Sequence, residues 1–351
     1  MSRRLLHKAC VLVMALCAAY VVKAQDTLAV QRQRVMFWNV ENAFWPTDDP
    51  DRDDDEFTPD GSRHWTHARL RQKLLRLTRV ILAAGDGRAP MLVGLAEVEG
   101  DSVMAYWTRH TPLWEQHYSY LVTQGPDLRG IQTALLYDPA DFRLVSWDAH
   151  SVSLGAAMRP TRQILHAAGR VVSGDTLDVL VCHLPSQLGG ARQSQPMREA
   201  AHSMAMHVAD SINNVRARAN IIIMGDMNDT PSRRKAWWGD GYRNLMVELQ
   251  QALRRQPSAY GSHKHQGAWA YLDQMIVNHR LAATMTLESR QPTEAGLSIG
   301  NPRSFALPDM LTDDITHLGH RPKRSFYGYQ YEGGYSDHLP ILVDLDVVWR
   351  P

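Results

Sequence analysis

The chain has 351 residues, 44% of them hydrophobic, with 38 Lys and Arg against 37 Asp and Glu for a formal net charge of +1. That length fits one large α/β domain or two small ones at about 100–200 residues each. The near balance of charge excludes a global attraction to nucleic acid, although a local basic strip is compatible with it.

Arg3, Arg4 and Lys8 precede an apolar run from Ala9 to Val22, and Val22-Lys23-Ala24 has the form of a signal-peptidase site. The expected mature chain begins at Gln25. The run is too short to predict a transmembrane helix, and the leader predicts export, to the periplasm or the exterior if the source is bacterial. Losing these 24 residues, four of them basic and none acidic, leaves 327 residues with a formal charge of −3. Cys10 and Cys17 leave as well, so Cys182 has no partner for an intramolecular disulfide.

The run "RVMFWNV" reads as a first strand. An acidic stretch follows, "PTDDPDRDDDEFTPDG" from Pro46 to Gly61, in which Asp49, Asp51 and Asp53 have the alternate spacing of a calcium loop. Asp54 stands where an EF-hand needs glycine, so a solvated loop is expected. Thr66 can cap a helix ended by Gly85, with Leu70, Leu74, Leu77 and Ile81 on its buried stripe and Arg69, Lys73 and Arg76 outside. Strands are then expected at "MLVGLAEVE", "IQTALLY" and "LDVLVCHLP". A helix over Arg198 to Val215 presents Met204, Val208 and Ile212 along one stripe.

In "NIIIMGDMNDTP", Ile221 to Met224 read as a strand buried on both faces, with Gly225 letting the backbone turn at its end. "LDQMIV" is another strand. The segment Gln291 to Tyr335, with Pro302, Pro308, Pro322 and "FYGYQYEGGY", reads as a long loop that walls or lids a site. "HLPILVDLDVV" closes the series. This alternation predicts a mixed α/β fold with sizeable sheets, in a single domain from about Gln25 to Pro351.

Polar residues recur at the strand ends: Asn39, Glu97, His183, Asp226 with Asn228, Asp273, and Asp337 with His338. One such end is an ordinary Asx turn. Six segments carrying Asn, Glu, His and Asp point instead to attack of water on a phosphate ester. A hard divalent ion, magnesium with manganese as the alternative, needs only one or two carboxylates besides the phosphate. A further carboxylate can orient or deprotonate water, while Asn and His bind phosphoryl oxygens.

Other chemistries fit less well. The 16 histidines include no HExxH pair for zinc. Ser336-Asp337-His338 are adjacent and cannot share a face as a triad, Ser186 lies in no G-x-S-x-G elbow, and Cys182 reads as a small core residue.

The ordered series "NVEN", "AEVE", "RGIQTALLY", "HLPS", "GDMND", "LDQMIV" and "SDHLPI" resembles the endonuclease/exonuclease/phosphatase superfamily over nearly the whole mature chain. The resemblance implies a four-layer α/β/β/α sandwich, two mixed sheets packed face to face with helices outside. It implies Glu97 as principal metal ligand with Asn39 beside it and Asp337 in the metal shell. Asp226 would orient or activate water, Asn228 would bind phosphate, and His338, held by Asp273, would contact a phosphoryl oxygen.

His183 stands where the deoxyribonuclease and sphingomyelinase branches also carry histidine and apurinic endonucleases tend to have tyrosine. Arg129, in "RGIQTALLY", is a candidate phosphate contact, with a plain surface arginine as the alternative. Glu41 and Glu99 are expected to face solvent, and Asp229 to cap the turn before Pro231. The expected function is an exported magnesium-dependent phosphodiesterase, first of all a nuclease on DNA or RNA. The alternative is a phosphatase or sphingomyelinase-like activity on a small or lipid phosphoester. A non-catalytic binding protein on the same fold would have lost some of these residues, and none is missing.

Overall fold

The computed structural model describes residues 28–351 except 155–157, 188, 233–237, 257–258 and 286–293. The leader at residues 1–24 lies outside the described residues. No described helix is long and apolar enough to cross a membrane.

The strands in chain order are β1 (Ala29–Ala43), β2 (Leu92–Val98), β3 (Ser119–Val122), β4 (Gln132–Tyr137), β5 (Arg143–His150), β6 (Ile164–Arg170), β7 (Thr176–His183), β8 (Asn220–Asp226) and β9 (Tyr242–Asn244). They continue as β10 (His263–His265), β11 (Ala268–Ala270), β12 (Asp273–Asn278), β13 (Gly296–Ser304), β14 (Leu311–Asp313), β15 (His320–Pro322), β16 (Phe326–Tyr327), β17 (Gln330–Tyr331) and β18 (Ile341–Trp349). The helices are α1 (His67–Ala84), α2 (Asp101–His110), α3 (Ala191–Val215), α4 (Val247–Leu253) and α5 (His279–Ala283).

Two six-stranded sheets form the body, in the orders β13-β18-β1-β2-β4-β3 and β5-β6-β7-β8-β12-β9. Each is mixed, with one parallel pair, β1 with β2 and β7 with β8. Both pairs are crossover connections carrying a helix, α1 and α3 respectively. The sequence dictates the layering through period-2 alternation. Val35 and Phe37 of β1, with Ile222 and Met224 of β8, point into the core between the sheets. Met36 and Trp38 point the other way, under Leu70, Leu74, Leu77 and Ile81 of α1. Ile221 and Ile223 do the same beneath Ala205, Val208 and Ile212 of α3. A strand covered on both faces needs apolar residues at every position, which is why these runs are unbroken. The result is the expected four-layer sandwich.

Thr66 caps α1 as expected, its side chain accepting the Arg69 N–H, and Gly85 follows the last turn. Three expectations are corrected. Lys73 is not on the outer face of α1 but 2% exposed, because it lies three residues after Leu70 and four before Leu77, on the same stripe. Helix α3 begins at Ala191 rather than Arg198, with Pro196 inside it. The segment 291–335 is not one long loop: β13 pairs with β18 at the sheet edge, and β14–β15 and β16–β17 form two hairpins. Its alternation is faint because only Leu297 and Ile299 of β13 pack into the core. The acidic loop is largely solvated, but Pro46, Asp54 and Phe57 are buried, Phe57 in the core beneath α1, and Asp54 accepts the Asp49 N–H.

Candidate active site

Strand register gathers the polar residues at one end of the sandwich. His183 and Asp226 are direct partners across β7 and β8, and Asp273 pairs with Asp226 across β12 and β8. All three share the parity of core-facing neighbours, Val181, Met224 and Met275, so their side chains aim between the sheets. From the opposite sheet Asn39, in line with Val35 and Phe37, aims into the same space.

Glu97 has the wrong parity for this, since Leu95 faces the α1 layer. The backbone corrects it: Glu97 has φ of +66°, and the β2–β4 register shifts between Ala96 and Val98. A bulge of this kind re-aims a side chain. Glu41, Asn42 and Asn228 also have positive φ, so four of the ten such non-glycine residues among those described border this one cleft. Held left-handed conformations of this sort concentrate at functional sites.

Gly225 is not the turn residue expected from sequence. It lies within β8, and a Cβ there would stand 2.3 Å from the Cys182 carbonyl oxygen, so glycine permits the close approach of β7. The turn itself is made at Asn228, φ +48°. Cys182 is the buried core residue expected, its thiol pushed up to about 12 by burial.

Asp226 is the hub. Its Oδ1 accepts the Asn228 backbone N–H at 2.9 Å and its Oδ2 accepts from Asn39 Nδ2 at 3.1 Å. Two imidazoles flank Oδ2, His183 Nε2 at 3.7 Å and His338 Nε2 at 3.8 Å. Asn39 Nδ2 also lies 3.3 Å from Glu97 Oε1, so this amide straps the two carboxylates together, while its Oδ1 accepts the Glu41 N–H. Glu97 Oε2 accepts the Asn42 N–H at 3.0 Å. Arg129, exposed at the rim, reaches within 3.8 Å of it. His338 Nδ1 is 2.7 Å from Asp273 Oδ2, and Asp273 is fully buried. Asn228 Nδ2 donates to the Leu184 carbonyl at the mouth of the cleft.

The two histidines are driven apart electrically. Burial, with Arg162, Arg129 and His338 nearby, holds His183 well below the ordinary imidazole range, so it is neutral. Burial also opposes charge on His338, but Asp273 and Asp226 outweigh it and hold the ring well above that range, as an imidazolium. Burial pushes the Asp226 carboxyl up to about 6, with Asp273 adding to the rise. Opposite shifts on neighbouring groups mark an acid and a base prepared for different tasks.

Two acids expected to face solvent do not. Glu41 is buried, and its positive φ lets it leave the face of Asn39 two residues before it: it accepts the Ser325 N–H at 2.7 Å and lies 4.0 Å from Lys73 Nζ. Lys73 donates to Ser325 Oγ at 2.6 Å and to the Tyr335 carbonyl at 2.9 Å. Burial pushes Glu41 up to about 7 and Lys73 down to about 8. This pair ties α1 and the end of β1 to the segment carrying Asp337. Glu99 is half-buried, accepts the Trp45 N–H, and is pushed up to about 7 by burial. Asp229 accepts the Thr230 N–H at the turn before Pro231, as expected.

Sequence reasoning also missed Arg324 and His263. Arg324 lowers Asp337, together with His338, His263 and Lys73, against a burial effect in the other direction, and its Nε is buried without a hydrogen-bond partner. His263 packs its ring 4.6 Å from that of His338. Neither sits in an apolar run that would have drawn notice.

The residues present suit a hard divalent cation. Glu97 and Asp226 offer carboxylate oxygens bridged by Asn39 Nδ2, and Asp337 and Asp273 flank the His338 imidazolium; Asp226, Asp273 and His338 also converge closely enough to ligate an ion. Oxygen-rich sets of this kind select magnesium- or manganese-like ions.

The chain is similar to solved structures across most of its length. A Bacteroides thetaiotaomicron endonuclease/exonuclease/phosphatase family protein superposes with TM-score 0.56 at 12% identity, covering 92% of this chain and 97% of that one. The B. thetaiotaomicron mannosyl-6-phosphatase Bt3783 gives 0.54 at 12%, over 89% and 99%. D. rerio TDP2 complexed with single-strand DNA product gives 0.52 at 13%, over 90% and 99%. Identities this low speak for the fold. No curated protein matches the sequence. The model of the Endonuclease/Exonuclease/phosphatase family matches residues 34–347, and with the phosphoesterase-type cleft in place the chain belongs to that family.

Proposed function

We propose that this member of a phosphoester-hydrolysing family is an exported, magnesium-dependent phosphodiesterase, acting first of all on nucleic acid. The observation that carries the hydrolytic reading is the setting of Asp226 Oδ2, between a neutral His183 and a charged His338 and strapped by Asn39 to Glu97. Above about pH 6 Asp226 is a carboxylate able to orient an attacking water and take its proton. His338, its Nδ1 fixed by Asp273, presents a charged Nε2–H to a phosphoryl oxygen. Asn228 and Arg129 stand at the mouth and the rim, where neutral and cationic donors hold the remaining oxygens.

Glu97, with Asn39 beside it and Asp337 as the further acid, would hold the divalent ion, which when bound stabilises charge on the phosphoryl oxygens and the leaving group. Support for nucleic acid comes from the β16–β17 hairpin. Tyr327 and Tyr329 are exposed, with Arg321 4.7 Å from the Tyr327 ring and Arg63 4.9 Å from that of Tyr329. Aromatic faces edged by arginine are stacking platforms for bases. The likeness to TDP2 with a DNA product is consistent with this. A second reading, a phosphatase on a sugar or other small phosphoester, draws on the likeness to the mannosyl-6-phosphatase.

The test compares bis(p-nitrophenyl) phosphate, p-nitrophenyl phosphate, supercoiled DNA and RNA, each with magnesium, manganese or EDTA, for wild type and Asp226→Ala. Cleavage of diester and nucleic acid that EDTA stops and the variant lacks is the expected result. Activity on the monoester alone replaces the nuclease with a phosphatase, and silence on all four withdraws the nuclease. Export is checked by fractionation and N-terminal sequencing of the released chain, expected to begin at Gln25.

A further inference from the structure

His338 and Asp337 also belong to a second convergence of ligand atoms, completed by His263, which the hydrolytic scheme does not use. His263, at the start of the short β10–β11 hairpin, forms an isolated backbone bridge with His338, and the two rings stand 4.6 Å apart at 40°. One ligand atom each from His263, Asp337 and His338 lies within 4.8 Å of the others. His263 and Asp337 are half-buried, which leaves the group an approach from solvent, while His338 is buried.

Two imidazoles and one carboxylate differ in kind from the oxygen set around Glu97. Imidazole favours zinc and its first-row neighbours over magnesium or calcium. Three protein ligands with an open fourth position are the form of many zinc centres. The Asp273–His338 contact supplies the remaining element, because a carboxylate on Nδ1 fixes the ring, and the metal takes Nε2 as its proton passes to solvent. At zinc–nitrogen distances of about 2.0–2.1 Å, tetrahedral ligand atoms lie roughly 3.3 Å apart, so closure by at most about 1.5 Å completes the site.

We propose that His263, Asp337 and His338 form a site for a transition-metal ion of the zinc class, which differs from the hard-cation site at Glu97 in its two imidazoles and competes with it for Asp337. An ion held there takes the His338 nitrogen that faces Asp226, so it inhibits hydrolysis. That consequence rests on the proposed function; the binding itself does not.

Cobalt(II), a visible-absorbing substitute for zinc, tests binding without turnover. It is titrated into wild type, His263→Gln, His263→Tyr and Glu97→Gln, then displaced with zinc. The Tyr variant keeps a ring against His338, and thermal melts without metal confirm that each variant is folded. Wild type and Glu97→Gln are expected to give the intense absorption of a low-coordinate nitrogen-ligated cobalt that zinc abolishes. Both His263 variants are expected to lose affinity by more than the roughly 10–100-fold that an outer-shell partner is worth. No band in wild type, an equal band in the His263 variants, or loss of the band in Glu97→Gln alone overturns the site. Zinc inhibition of diester cleavage, relieved in His263→Tyr, is the functional counterpart. An inert wild type that still binds cobalt through His263 refutes the hydrolase and keeps the metal site.

Discussion

Replacing Asp273 with asparagine removes one negative charge from the sandwich interior and changes almost no volume. Asp273 is fully buried and its Oδ2 lies 2.7 Å from His338 Nδ1. At that separation and an effective dielectric of about 20, the attraction is roughly 6 kcal/mol before desolvation. Breaking a buried pair from one side costs about 3–5 kcal/mol in practice. The amide still accepts a hydrogen bond, so the lower end is expected, with His338 shedding its proton.

The pH dependence gives the sharper check. His338 has a raised folded pKa, so its contribution is fully present below the unfolded value of about 6.5 and fades as pH rises through the folded one. Urea denaturation should therefore show the variant's deficit largest below about pH 6.5 and shrinking on the alkaline side. The loss of a charged donor should lower kcat/KM on a diester by about 10²–10³. A deficit that is flat with pH, together with kcat/KM close to wild type, refutes the claim that Asp273 and His338 work as a unit.

Gly225→Ala places a Cβ 2.3 Å from the Cys182 carbonyl. It should part β7 from β8, cost more than about 3 kcal/mol in denaturant titrations and abolish hydrolysis by disturbing the His183–Asp226 register. Lys73→Met leaves Glu41 buried without its cation and should cost about 3–5 kcal/mol, with Glu41→Gln restoring a large share in a double-mutant cycle. Because burial raises Asp226 to about 6, kcat/KM should fall about tenfold per pH unit below that point, and a profile with no break between pH 5 and 7 removes Asp226 as the base. The same raised carboxyl makes the fold bind this proton more tightly than the unfolded chain does, so its contribution to stability grows as pH falls from about 6 towards 3.8.

The layered fold was legible because strands covered on both faces must be apolar throughout, as "RVMFWNV" and "NIIIMGD" are. Polar side chains at the ends of such strands had few places to go but the cleft. Edge strand β13, with only Leu297 and Ile299 in the core, carried too little pattern to be recognised. Asn39 was placed correctly, and Glu41 wrongly in solvent, since nothing local announces that the backbone turns left-handed at Glu41 and Asn42. Lys73 was legible after all: its spacing from Leu70 and Leu77 put it on the buried stripe, and only its charge argued otherwise. Arg324 and His263 depend on how distant hairpins fold back, which no local pattern encodes.

The bulge at Glu97 sets durability against turnover at a single residue. A non-glycine residue held at φ +66° costs about 1–3 kcal/mol of backbone energy that glycine would not incur. A mutant library sorted only for heat resistance should therefore enrich Glu97→Gly as a tougher, inert protein, while one sorted for catalysis should return glutamate. Selection for activity must keep restoring a residue that the main chain disfavours there.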